Sequence, residues 1–337
     1  MLLATPRFWY SRRPTPLARL LQPLAWLYAL GVRRHRRRSC PVRLPVAVLS
    51  VGNITLGGTG KTPLVIALAQ ELQQRGRSVA VLLRGYGGGS RRPRRVTSAD
   101  AAVQVGDEAL EIQRSLPGVA VWVGGDRVAG GVAAIAAGAD LLLLDDGLQH
   151  WRLARDCDIS VLDGRHGLGN GLVFPAGPLR EPADQLGRAD LLVLTGPAAS
   201  ELAVPPPLWP AGKPWFRLAG WIEPPARLIG VPLLAFCGIG LPAKFFAALR
   251  QAGLELAAAA GFPDHHPYAA SDLERLQRRA DIHGATLVTT VKDWQRLPDG
   301  WREKVVALPL VLDSRMVEAI TSAALARMAP RRLEIPE

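Results

Sequence analysis

Residues 50–62 read SVGNITLGGTGKT, a run of glycines ending in Lys-Thr that is spaced to hold phosphate. The P-loop pattern G-x-x-x-x-G-K-[ST] is met at Gly57, Gly58, Gly60, Lys61 and Thr62, with Thr55 where its first glycine would stand. Backbone N–H groups of the loop, Thr55, Leu56, Gly57, Gly58, Thr59 and Gly60, and of the helix start at Lys61 and Thr62 are expected to cradle phosphates. Lys61 would reach the β- and γ-phosphates, and the Thr62 hydroxyl would help hold Mg²⁺. A merely flexible turn does not need Lys-Thr directly after its glycines. Thr55 changes the entry to the loop and leaves the cradle in place.

Three further groups carry possible chemistry. LLLLDDG places Asp145 and Asp146 after four leucines, at a strand end where a carboxylate can meet a phosphate-bound metal. VGDEALEIQ opens a helix with Asp107 and Glu108, which suits either ordinary helix-start acids or a functional pair. GFPDHHPY sets Asp264, His265 and His266 in a proline-flanked loop, and an acid beside a histidine can make an oriented base. Metal ligation is the competing use of that loop, but no further His/Cys spacing completes a zinc site.

These groups need elements to position them. VAVLSV (46–51) leads into the glycine loop and a helix over roughly 61–75. SVAVLL (78–83), VAVWV (119–123), ADLLLLD (139–145), CDISVLD (157–163) and ADLLVLT (189–195) are further strands. Continuous apolar strands alternating with helices predict an α/β fold: a P-loop NTPase-like, mostly parallel sheet with helices on both faces. Residues 164–182, GRHGLGNGLVFPAGPLREP, are too rich in Gly and Pro for a core element and suggest a mobile flap. A Pro-rich stretch at 197–232 looks like a linker. Beyond it PLLAFCGIG, a helix near 242–253, ATLVTT (285–290), VVALPLVLD (305–313) and a last helix predict a smaller α/β unit. The expected organisation is an N-terminal segment over 1–40, a P-loop unit over 41–225 and a smaller unit over 226–337.

Composition narrows the classes. With 48% hydrophobic and 21% charged residues among 337, the chain is globular and long enough for two cores. Three scattered cysteines (Cys40, Cys157, Cys237) exclude a disulfide framework and suit a reducing cytosol. The formal charge is +12, and only five of the 41 basic residues are lysines (61, 213, 244, 292, 304). That arginine excess reflects either a coding bias or an anionic partner.

The basic residues crowd the N-terminus. There LARLLQPLAWLYAL (17–30) precedes Arg33, Arg34, Arg36, Arg37 and Arg38. Leu17, Leu20, Leu21, Leu24, Leu27 and Tyr28 share one helical face. The run is too short to span a bilayer and lacks a signal-peptide cleavage site. An amphipathic helix in the headgroup plane of an anionic membrane is the favoured reading; an ordinary helix packed on the domain is the other.

Taken in order, PLAWLYAL, VGNITLGGTGKTP, RGYGG, GDEAL, DDGLQHWRLARD, GNGLVFPAGPLRE, GIGLPAKFF and DHHPY resemble the tetraacyldisaccharide 4'-kinase family over nearly the whole chain. The departure is local, at Leu83, where a serine is more usual in that family. The resemblance implies transfer of the ATP γ-phosphate to the 4'-hydroxyl of a tetraacylated glucosamine disaccharide 1-phosphate, giving lipid IV(A). It implies an ATP site across Thr55–Thr62, a catalytic pair on Asp107 and His265, and metal-side acids at Glu108, Asp145 and Asp146, joined by a lid glutamate at Glu181. It also implies a peripheral enzyme on the cytoplasmic face of the bacterial inner membrane. Arg84 and the arginines at 91, 92, 94 and 95 are candidates for the anionic headgroup. No nucleic acid and no protein partner are expected. The rival readings are a membrane-associated P-loop ATPase switch without a small-molecule acceptor, and a nucleic-acid kinase.

Overall fold

A computed structural model describes residues 6–11, 13–85, 92–196 and 205–328. Two short helices come first, α1 (Pro16–Leu20) and α2 (Gln22–Arg38). The first half then alternates β1 (Ala47–Gly52), α3 (Lys61–Gln74), β2 (Val79–Leu83), β3 (Arg94–Arg95), α4 (Ala102–Val105), α5 (Asp107–Ser115), β4 (Ala120–Val123), α6 (Arg127–Ala136), β5 (Leu141–Asp145), β6 (Cys157–Asp163), β7 (Leu191–Gly196) and β8 (Trp215–Ile222). The rest comprises β9 (Leu233–Cys237), α7 (Pro242–Gln251), β10 (Leu256–Gly261), α8 (Ala270–Ile282), β11 (Thr286–Thr290), α9 (Val291–Trp294), α10 (Asp299–Arg302), β12 (Val306–Leu308), β13 (Leu310–Leu312) and α11 (Ser314–Arg327).

The large sheet runs β13-β8-β7-β6-β1-β5-β2-β4-β3, parallel except at its two edges, where β3 and β13 pair antiparallel. Its central strands are buried on both faces, which is why they read as unbroken aliphatic runs. After β5 the chain crosses to β6 on the other side of β1. In a doubly wound sheet such a reversal opens a crevice at the carboxyl ends of the strands. The Gly-rich loop after β1 and the Asp-Asp after β5 both lie there, because β1 and β5 are paired in register up to Val51 and Asp145. The second sheet is smaller and wholly parallel, ordered β10-β9-β11-β12.

Three elements depart from the sequence reading. The stretch 197–232, taken as a linker, contains β8, whose Trp215–Ala219 segment pairs parallel with β7. The run VVALPLVLD, taken as one strand of the second unit, divides at Pro309. On one side β12 joins β11 in the small sheet; on the other β13 joins β8 in the large one. Proline has no N–H to give a ladder, so the strand changes partner there. Residues after 309 therefore return to the first unit, and α11 buries Val317, Ile320 and Ala324 in the core beneath α3. Finally, the Ala-rich β10 was not anticipated.

The segment 164–182, read as a mobile flap, is fastened to its surroundings. Leu56 N–H donates to Pro178 O at 2.7 Å and Arg180 N–H to Ile54 O at 2.7 Å, which ties it to the glycine loop. Trp9 Nε1 donates to Pro175 O at 3.1 Å, and Asn170 N–H donates to Trp9 O at 2.7 Å. The N-terminal segment thus has two parts. Residues around Trp9 pack into the fold. In α1 and α2 only small residues such as Ala18 and Ala25 are buried, while Leu17, Leu20, Leu24, Trp26, Leu27 and Leu30 stay exposed. No described helix is long and apolar enough to cross a membrane.

Candidate active site

The loop after β1 turns through two left-handed glycines, Gly57 (φ 107°) and Gly60 (φ 84°), a conformation that L side chains rarely adopt. Gly60 caps α3 without a side-chain hydrogen bond to its first turn. The opening N–H groups of α3 have no carbonyl partner within the helix, so this end is suited to an anion. Asn53, fully buried, organises the loop from within. Its Nδ2 donates to Thr59 Oγ1 at 3.1 Å, its Oδ1 accepts from Lys61 Nζ at 3.2 Å, and its carbonyl accepts from Gln149 Nε2 at 3.0 Å. From β7, Thr195 Oγ1 donates to Thr59 O at 2.8 Å. Thr62 lines the same cleft one residue after Lys61.

At the end of β5 the two aspartates divide. Asp146, in a left-handed backbone (φ 50°), lies 3.6 Å from Lys61 Nζ and accepts from Arg180 Nη1 at 2.7 Å. Burial alone would raise its pKa, but the charges of Lys61 and Arg180 outweigh that and hold it well below the usual carboxylate range. Asp145 is buried, and its Oδ1 has no hydrogen-bond partner. Burial first, and then the negative charge of Glu108, push its pKa up. Glu111, one turn further along α5, is pushed up to about 7 by burial and by Glu108, Asp107 and Asp145, against the pull of Lys292.

Across the cleft stands the second pair. His265 Nδ1 lies 3.1 Å from Asp107 Oδ2, so two residues 158 positions apart meet as the spacing of neither motif alone predicts. Lys292 Nζ lies 3.3 Å from His265 Nε2 and 3.3 Å from Glu108 Oε1. An ammonium only donates, so a bond from Lys292 takes Nε2 as its acceptor and leaves Nδ1 to donate to Asp107. Burial would lower the Lys292 pKa, but Glu108, Asp264 and Asp107 outweigh it and raise it, which keeps the amine charged. For Asp107, burial would raise the pKa, and the His265 bond with the Arg296 and Lys292 charges reverses that and holds the group ionised. His265 and Lys292 line the cleft, with Asp107 behind them.

One cleft of about 1920 Å³ contains Gly57–Thr62, Asp145, Asp146, Glu108, His265 and Lys292. That is larger than an ordinary small-ligand pocket, which runs to about 1,000 Å³, and leaves space for a second reactant beside a nucleotide. The two walls belong to different sheets. An ion pair between Lys244 on α7 and Asp163 at the end of β6 joins them on the other side of the loop.

The sequence matches a family model described as tetraacyldisaccharide-1-P 4'-kinase over residues 17–328. It is 46% identical to the tetraacyldisaccharide 4'-kinase of Gluconacetobacter diazotrophicus, over 91% of this chain and 93% of that one. It is 43% identical to the same enzyme of a Methylobacterium species, over 96% and 98% of the two chains. The chain belongs to the tetraacyldisaccharide 4'-kinase family. The fold agrees: a solved structure of the "apo" form LpxK from Aquifex aeolicus in complex with ATP superposes with a TM-score of 0.74 at 30% identity, covering 93% of this chain and 99% of that one.

For this member of the family, the structure gathers Lys61, Thr62, Glu108, Asp145, Asp146 and His265 around the cleft and sets Asp107 directly behind it. Glu181, expected among the metal-side acids, is elsewhere. Its two carboxylate oxygens accept from Gln149 Nε2 at 2.9 Å and Arg188 Nη2 at 2.7 Å, and it is almost wholly buried away from the cleft. Its place is behind the loop, where Gln149 links it to Asn53. Of the candidate headgroup arginines, Arg84 lines the cleft, Arg94 pairs with Asp100, and residue 91 lies outside the described residues. Lys292, Asn53, Arg127 and Arg180 were not singled out from sequence. The scarcity of lysine was a usable signal for Lys292, which is one of only five.

Proposed function

We propose that the cleft transfers the γ-phosphoryl group of ATP to the 4'-hydroxyl of tetraacyldisaccharide 1-phosphate, giving lipid IV(A) and ADP. The observation that carries this reading is the placement of a phosphate loop and a carboxylate-oriented histidine on opposite walls of one cleft. The loop and Lys61 hold the terminal phosphate and offset charge on its oxygens as the bond to the leaving ADP breaks. Asp107 and His265 act as one unit that accepts the alcohol proton as the hydroxyl oxygen attacks phosphorus. Lys292 stays charged beside them and adds a cation to the same wall.

The residues fit a divalent cation. Asp145 has a buried oxygen without a partner, and the negative charge of Glu108 lies close enough to raise its pKa. Among the described residues no three such side chains are already gathered as a ligand set. Mg²⁺ does not need that, since it keeps several waters and takes one or two carboxylates plus phosphate oxygens. Asp145, with Thr62 and Glu108 nearby, would hold it, and when bound it supplies positive charge to the phosphates.

The cleft is also lined by Arg38, Arg127 and Arg152, cationic side chains suited to the sugar 1-phosphate. Arg38 ends α2, so the exposed apolar helix and this cationic lining of the cleft adjoin. This supports a peripheral protein on an anionic membrane, with the acyl chains left in the bilayer and the headgroup drawn in. Leu20 and Leu27 are 75% and 65% exposed, so their replacement does not disturb the core. The triple variant Leu20→Glu, Leu24→Glu, Leu27→Glu is expected to lose flotation with anionic vesicles while its melting temperature holds. Undiminished flotation would remove the helix from membrane contact. This variant is a cleaner probe than deletion of the N-terminus, which would also remove Trp9 from the fold.

The class of reaction is tested by ATP consumption with Mg²⁺ in detergent. Consumption is expected to require the disaccharide and to be indifferent to DNA. Equal ATP hydrolysis without any acceptor would favour the P-loop switch reading instead.

A further inference from the structure

Behind the cleft wall lies a buried ionic cluster that the reaction described above does not use. Asp293 on α9 is completely buried and accepts four hydrogen bonds. Gly238 N–H (2.9 Å), Tyr268 OH (2.9 Å) and Arg296 Nη1 (3.1 Å) donate to its Oδ1, and Thr290 Oγ1 (2.6 Å) donates to its Oδ2. Arg296 uses the rest of its guanidinium in two directions. Nη1 also donates to Gly238 O at 3.2 Å, within its own unit. Nε donates to Asp107 Oδ2 at 2.6 Å, with Nη2 at the same distance, across to the other unit. The carboxylate oxygen gripped by Arg296 is therefore the one that meets His265.

The same cluster also fixes the histidine backbone. His265 N–H donates to Gly238 O at 3.1 Å, so that carbonyl is shared between His265 and Arg296. His265 is held at φ 59°, a conformation costly for a residue with a Cβ and sustained only where the surroundings over-determine it. A Cβ at Gly238 would come within 2.9 Å of Pro263 O, so the hub closes tightly around that glycine. Neither Asp293 nor Arg296 lines the cleft, so neither is placed to touch a substrate.

We infer that Arg296, anchored by Asp293, is a positioning residue that docks His265 of the small-sheet unit onto Asp107 of the large-sheet unit. The catalytic pair is complete only where the two units meet, and Arg296 spans the join there, holding Asp107 directly and His265 through the shared Gly238 carbonyl. This rests on the reading of Asp107 and His265 as the catalytic pair. A planar fork suits the task, because one guanidinium serves the Gly238 carbonyl and the Asp107 carboxylate together in a fixed geometry that a lysine's single ammonium does not reproduce.

The test is a double-mutant cycle on the full-length protein, with kcat, KM for ATP and melting temperature measured for each variant. Arg296→Gln is expected to lower kcat about 10–100-fold, the scale of a misplaced catalytic group, with KM for ATP unchanged. Arg296→Lys should recover part of that loss, and it keeps the test available if Arg296→Gln does not fold. In an Asp107→Ala background, either Arg296 substitution is expected to cause no further loss, because its effect acts through a carboxylate already gone. Losses that multiply in the double variants, tracking melting temperature, would overturn the proposal and leave Arg296 as a fold residue. Wild-type turnover by Asp107→Ala alone would instead overturn the catalytic pair itself.

Discussion

Lys61→Ala is expected to leave a folded protein that transfers phosphate about 10³-fold more slowly than wild type, the cost of removing a group that stabilises charge developing in the transition state. The physical case is local. Lys61 opens α3, and its ammonium sits between Asn53 Oδ1 and Asp146, aimed along the mouth of the glycine loop. The other lysines that line the cleft, Lys244 and Lys292, come from α7 and α9 beside the small sheet. The fold should survive because Asp146 keeps its contact with Arg180 and its carbonyl keeps that with Arg127. Steady-state turnover and a thermal melt together check both halves. A melting temperature that holds with turnover within tenfold of wild type would take Lys61 out of the reaction.

Asp107→Ala and His265→Ala are each expected to reduce kcat by about 10²–10⁴, the usual contribution of a positioned base. The double variant should be no worse than either single one, since a proton acceptor and the group orienting it act as a unit. Asp107 opens α5 beside the large sheet and His265 follows β10 of the small one, and the 3.1 Å contact between them is the direct reason to link their effects. Removing Asp107 also takes from Arg296 one of its two carboxylate partners in a confined space, so a moderate drop in melting temperature is expected for that variant. Comparing kcat for the three variants decides the matter. Losses that multiply would show two independent roles.

The central strands were legible because burial on both faces leaves an unmistakable apolar run, as in LLLLD before Asp146. The phosphate loop was legible because its chemistry is contiguous, from Gly57 to Thr62. Elements at the margins were harder. β8 carries Arg217 and Gly220 and is bracketed by prolines, so its pattern reads as a loop; only pairing with β7 and β13 makes it a strand. β10 is built largely of alanine, a helix former, and is a strand because β9 offers it a partner. Glu181 follows an arginine that does face the cleft, Arg180, and motif position alone could not say that the next side chain turns to Arg188. Lys292, Arg296 and Asp293 were silent for a related reason. Their meaning comes from partners as much as 189 residues away, and no local spacing encodes that.

The most direct test of the account is to locate the transferred phosphate. The protein is incubated with γ-labelled ATP, Mg²⁺ and tetraacyldisaccharide 1-phosphate in detergent, and the lipid product is separated and examined by phosphorus NMR and mass spectrometry. The account predicts a labelled bisphosphorylated lipid with the new phosphate on the 4'-oxygen. Label appearing solely as inorganic phosphate, or on any other oxygen of the disaccharide, would contradict it.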